Sequence, residues 1–194
     1  MKTDRTTIKR WARWLATCIG FPIAGVAARL AVGNIDSREA AVIGGLVGGA
    51  VLGVIQATIG GIAREDRVRW IAATACGFAV GLGVGSDVVG FRTDPASLAL
   101  MGVISGAAVG IAQAVSIPMR SRDRVAWALV TPVLWAGGWL VSSQVIVDAD
   151  RQHAIFGGPA AITVSALAGV LHIARRRSSQ PATRVAGSIS SAVL

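Results

Sequence analysis

The side chains that could do chemistry in this chain are few and stand apart. Gln56 and Gln113 are isolated amides in apolar runs, and His172 takes the corresponding place in a third run. Thr17, Thr74 and Thr131 hold matching positions in three other runs. Amides and hydroxyls in such places exchange hydrogen bonds, and only His172 could titrate near neutral pH. The six form a candidate polar layer, which either ties helices together or lines a vestibule. Arg29 and Asp87 fall near the ends of two runs on the opposite side, and the spacing predicts an ion pair between them. His172 and Asp87 would sit at opposite faces, too far apart to work as an acid–base pair. The sequence has no HExxH, no GxSxG, no Walker-type loop and no cluster of His, Cys and carboxylates. Cys18 and Cys76 have no CxxC spacing and read as small buried hydrophobes. These observations predict no catalytic residue, no metal and no cofactor, hence a protein that is not an enzyme. No carboxylate falls in the middle of an apolar run, so a proton- or sodium-coupled mechanism lacks its usual group.

The elements that must position these residues follow from composition. Of 194 residues, 53% are hydrophobic and 15% charged, and mean hydropathy is +0.62. A soluble domain carries about a quarter charged residues. Six apolar runs, at 11–33, 40–62, 70–91, 98–117, 125–147 and 154–174, are each about the 20 residues that a bilayer core requires. Lipid offers backbone groups no partner, so each run should be a helix. The expected fold is an all-α membrane protein, a single domain over 1–177 with six transmembrane helices. The Ser- and Ala-rich tail, 178–194, reads as disordered and cytoplasmic.

The net charge of +9 does not point to nucleic acid, because of where the charges fall. With the N-terminus inside, inner segments hold fifteen cations and four acids, and outer segments hold four cations and six acids. That asymmetry places both termini in the cytoplasm and suits a bacterial cytoplasmic membrane. Trp11, Trp14, Trp70 and Trp127 fall at the inner boundary and read as an aromatic belt. Pro22 and Pro132 should bend the first and fifth helices. Trp139, near the middle of the fifth run, is expected to line a cavity.

A shift of 57 residues superposes much of the chain on itself. Gly45, Gly49, Gly53 and Gln56 fall on Gly102, Gly106, Gly110 and Gln113. Asp66, Arg67, Val68 and Trp70 fall on Asp123, Arg124, Val125 and Trp127. Thr17, Thr74 and Thr131 align, with Phe21, Phe78 and Trp135 four residues on. With two more residues in the preceding loop, Ala161, Ser165, Gly169 and His172 complete a third copy. The unit is a helical hairpin used three times in one orientation. Residues four apart share a helix face, and glycines there let another helix approach closely. The second, fourth and sixth helices should therefore pack closely within the bundle about a pseudo-threefold axis. Gln56 lies eight residues before Arg64, about 12 Å along a helix. Thr74 lies at a similar depth, which predicts Thr–Gln hydrogen bonds between odd and even helices.

The GxxxGxxxGxxQ helix, followed by a basic loop and a helix that starts with Trp, resembles a group of bacterial multi-pass membrane proteins with repeated glycine-zipper hairpins. In that group the glutamine is often followed by Trp; here Gln56 and Gln113 are followed by Ala57 and Ala114. The resemblance implies a multi-pass fold and no substrate. The expected function is a structural or accessory protein that binds membrane lipids, a partner membrane protein or further copies of itself. The alternative is a small-molecule transporter or channel, or its substrate-binding membrane subunit. The direction in which Gln56, Gln113 and Thr131 point should separate the two.

Overall fold

The computed structural model describes residues 5–145. The sixth run at 154–174, with Ala161, Ser165, Gly169 and His172, and the tail 178–194 lie outside the described residues. Within them every regular element is helical. Helix α1 (Arg5–Ala16), a 3-10 turn (Thr17–Ile19) and α2 (Gly20–Val32) follow one another without a loop. After them come α3 (Arg38–Ile59), a second 3-10 turn (Arg64–Asp66), α4 (Arg67–Val89), α5 (Pro95–Ser116) and α6 (Ser121–Val145). Five stretches are long and apolar enough to cross a membrane: Trp11–Val32, Arg38–Ile59, Arg64–Val89, Pro95–Ser116 and Ser121–Gln144.

Local chemistry sets the helix ends. Ser37 is extended, and its hydroxyl accepts the Ala40 N–H at the start of α3. Asp94 does the same for Ser97 at the start of α5, where Pro95 needs no N–H partner. Helix α4 stops at Gly90, whose left-handed backbone (φ 60°) lets the Phe91 N–H reach back to the Ser86 carbonyl. At the other end of the bundle, arginines close the helices. Arg13 Nε donates to the Ile59 carbonyl at 3.0 Å, and Arg124 Nε donates to the Ala114 carbonyl at 3.0 Å. Both reach the negative ends of helices, where carbonyls lack intrahelical partners.

The bundle is apolar outside and small or polar inside. Val80, Val84, Val88, Ile111, Leu129 and Val133 are exposed, while Thr74, Ser86, Ser105 and Gln113 are buried. Three clusters stack along the bundle. Trp14, Ala57, Trp70, Ala114 and Trp127 form one at the arginine-rich end. Ala24, Leu52, Val109 and Trp135 form the middle one. Ala41, Leu82, Val89, Leu98, Met101 and Trp139 form the third.

The glycines explain the close approach, though not in the arrangement the sequence suggests. A Cβ on Gly49 would lie 2.8 Å from Ala75 Cα, and one on Gly45 would lie 2.8 Å from Ala79 Cα. A Cβ on Gly102 would lie 2.8 Å from Ala136 Cα, and one on Gly106 would lie 2.8 Å from Pro132 Cα. The glycine faces of α3 and α5 thus meet α4 and α6, not each other. The short loops at 60–63 and 117–120 make those helices antiparallel neighbours. Sequence reasoning passed over a second stripe. Gly77 and Gly81 of α4 lie against Val109 and Ser105 of α5.

Other expectations need correction. Trp14, Trp70 and Trp127 are buried at the centre and do not form a belt facing lipid. Trp139 packs in an apolar cluster with Leu82, Val89, Leu98 and Met101. Pro22 cannot donate to the Cys18 carbonyl, and the chain tightens into the 3-10 turn just before it. Pro132 lies inside α6, which continues as one helix. Cys18 is half-buried and Cys76 is exposed, so the buried-hydrophobe reading fails for Cys76.

Candidate functional site: a tryptophan–glutamine layer

The polar layer assembles from four helices. Gln56 lies near the end of α3 and Gln113 near the end of α5, while Thr74 is the eighth residue of α4 and Thr131 the eleventh of α6. Thr17 opens the 3-10 turn after α1. All five side chains are buried. Gln113 Nε2 donates to Thr74 Oγ1 at 2.9 Å and to Gln56 Oε1 at 3.2 Å. Trp70 Nε1 donates to Gln56 Oε1 at 3.1 Å, and Trp127 Nε1 donates to Gln113 Oε1 at 3.1 Å. The indole donors therefore set the orientation of both amides.

The threonine protons go elsewhere. Thr74 and Thr131 donate to the carbonyls of Trp70 and Trp127, four residues back, at 2.8 and 2.7 Å. Thr17 donates to the Trp14 carbonyl, three residues back, at 2.7 Å. This three-residue step, at the 3-10 turn, accommodates a tryptophan one place later than the 57-residue shift requires. The three indoles meet edge to face or tilted. Centroids are 6.3 Å apart for Trp14–Trp70, and 6.1 Å for both Trp14–Trp127 and Trp70–Trp127. A second aromatic tier lies four residues on, where Phe21 and Phe78 meet Trp135 at 5.8 and 5.1 Å.

A cavity of ≈ 30 Å³ lies between these tiers, with Thr17, Gln56, Gln113 and Thr131 in its wall. Of the predicted layer, the structure joins Gln56, Gln113 and Thr74 directly by hydrogen bonds. Thr17 and Thr131 reach the same centre through the cavity wall, and His172 is outside the described residues. Sequence reasoning missed Trp70 and Trp127 as partners of the amides. The signal was present: each tryptophan follows its glutamine by fourteen residues.

The predicted Arg29–Asp87 pair is replaced. Asp87 is held by Arg38, both through a hydrogen bond and as an ion pair. Arg38 opens α3 and Asp87 lies in the last turn of the antiparallel α4, so the hairpin itself brings them together. Ser86, Ser105 and Ser142 are buried hydroxyls with no hydrogen-bond partner for Oγ among the described residues. No group of three or more His, Cys, Asp and Glu able to hold a metal ion occurs among the described residues.

Fold and layer together define a helical protein that turns polar side chains inward and apolar ones outward, with five helices able to cross a membrane. No family model, no curated protein and no solved structure matches the chain.

Proposed function

We propose that this chain is a non-enzymatic integral membrane protein, a structural or accessory protein whose outer faces bind lipids and a partner membrane protein or further copies of itself. One observation carries the reading. The amides of Gln56 and Gln113 bond to each other and to the indoles of Trp70 and Trp127. The polar groups that could have faced a substrate path are largely engaged in holding helices together. The reading includes six membrane-spanning helices in a bacterial cytoplasmic membrane, with both termini cytoplasmic. Its support is the charge asymmetry of the sequence, fifteen cations and four acids in the segments assigned to the inner side.

Native mass spectrometry of the protein, extracted in mild detergent from its own membrane, tests this proposal. The expected result is a complex with a partner subunit, or a homo-oligomer, carrying lipid. A retained small-molecule substrate in place of a partner would overturn it in favour of the second reading. That second reading, a transporter or substrate-binding membrane subunit, draws on the cavity bordered by Thr17, Gln56, Gln113 and Thr131.

A further inference from the structure

The cavity between the aromatic tiers has an asymmetric hydrogen-bonding wall. Trp14, Phe21, Trp127 and Trp135 supply ring surface, and no ionisable side chain borders it among the described residues. What each polar atom offers follows from the bonds already made. Gln113 is engaged at both ends of its amide, through Trp127 on one side and Gln56 and Thr74 on the other. Gln56 Oε1 accepts from both Trp70 and Gln113, which fixes that amide. Its Nε2 is left as a donor without a hydrogen-bond partner among the described residues, on a side chain only 8% exposed. The hydroxyl protons of Thr17 and Thr131 go to backbone carbonyls, so their oxygens present lone pairs.

A comparison within the chain shows what is incomplete. At the positions 57 residues on, the equivalent pair is closed: Gln113 Nε2 donates straight to Thr74 Oγ1 at 2.9 Å. Gln56 and Thr17 make no such bond, and both border the cavity.

We infer that the cavity binds a neutral hydrogen-bonding molecule of the size of water or ammonia. It accepts from Gln56 Nε2 and donates to Thr17 Oγ1 and Thr131 Oγ1. The volume, ≈ 30 Å³, exceeds the roughly 10–15 Å³ that one water requires, so a molecule of that size fits. Among the described residues the wall offers a buried ion no countercharge, which favours a neutral guest. A cation would also face the Gln56 N–H, and an anion would face the threonine lone pairs.

The test uses the full chain in lipid nanodiscs, isotope-labelled and assigned by NMR. The expected result is a cross-peak between the Gln56 side-chain amide protons and a long-lived water, lost in the nearly isosteric Thr17→Val. The Gln113 amide protons, bonded within the protein, should show none. Thermal stability is then compared in ammonium chloride and sodium chloride at equal ionic strength and mildly alkaline pH. A gain specific to ammonium, absent in Thr17→Val, assigns the guest as ammonia; no such gain with the cross-peak present assigns water. A folded wild type with neither a water contact at Gln56 nor an ammonium-specific gain overturns the inference. So does a direct Gln56–Thr17 hydrogen bond in place of a bound molecule.

Discussion

Gln113 Nε2 donates to Gln56 Oε1 at 3.2 Å, joining two side chains 57 residues apart in the chain and alike in their local sequence. The bond links α3 to α5, whose glycine faces are turned towards α4 and α6. In the same layer each amide also receives an indole N–H from the helix that follows it. The layer therefore connects four helices through a handful of bonds, and its loss should be felt across the bundle.

Gln113→Leu should destabilise the protein by about 1–3 kcal/mol, because it removes the acceptor of the Trp127 N–H and two donated bonds. Gln56→Leu should also destabilise, by leaving the Trp70 and Gln113 donors unmet. The double variant should cost less than the sum of the singles by roughly 0.6–2 kcal/mol, the usual coupling of such a bond between membrane helices. Unfolding in detergent followed by tryptophan fluorescence would measure all three. Strict additivity would mean that the amide–amide contact contributes nothing.

The glycines make a sharper contrast. A methyl added at Gly49 would lie 2.8 Å from the Thr74 carbonyl oxygen, and one at Gly106 would lie 2.8 Å from Pro132 Cα. Backbone cannot yield as a flexible side chain can. Gly49→Ala and Gly106→Ala should each destabilise by about 1–3 kcal/mol through overpacking. Gly137 lies on the exposed side of α6, with no atom of the described residues within 4 Å of an added Cβ. Gly137→Ala should be neutral or stabilising by up to about 1 kcal/mol, since alanine favours the helix. Equal losses at all three positions would show that helix packing is not what the glycines serve.

The legible part of this protein is what period and depth encode. Spacing by fours placed Gly45, Gly49 and Gly53 on one face, and equal distance from the arginines placed Gln113 level with Thr74, to which it donates. What the sequence hid was direction. Trp70 and Trp127 looked like interface residues because their depth is right for a belt, yet depth does not say which way an indole points. The partner of Asp87 was misread for a related reason. A shared depth near the outer ends of their runs drew attention to Arg29, whereas an antiparallel hairpin places the start of one helix beside the end of the next, which selects Arg38. The stripe Gly77, Gly81 and Gly85 was legible by the same spacing rule, and its face on α5 needed only the short loop between the helices.

Thiol chemistry reads out side-chain direction independently. Cys76 is exposed on α4, whereas Cys18 is half-buried where the 3-10 turn leads into α2. In native membranes a lipid-soluble maleimide should label Cys76 several times faster than Cys18, with single-cysteine variants Cys18→Ala and Cys76→Ala resolving the two. Unfolding in SDS should make the two rates similar. Faster labelling of Cys18 in the native protein would reverse the facing assigned to α4.

The start of α5 should respond to acid. The Ser97 hydroxyl, followed by its backbone N–H, bonds the charged form of Asp94 and holds that carboxyl below the usual carboxylate range. A carboxyl whose folded pKa is depressed contributes stability that is complete above its unfolded pKa, about 3.9, and is lost as pH falls through the lower folded value. Hydrogen-exchange protection of the Ser97 amide, corrected for its intrinsic rate, should therefore stay level from neutral pH down to about 4 and decline below it. Asp94→Asn keeps a capping oxygen without the titration, since asparagine caps helices about as well as aspartate. In that variant the decline should disappear. The same fall in Asp94→Asn would trace the acid response to another carboxylate and remove Asp94 as its cause.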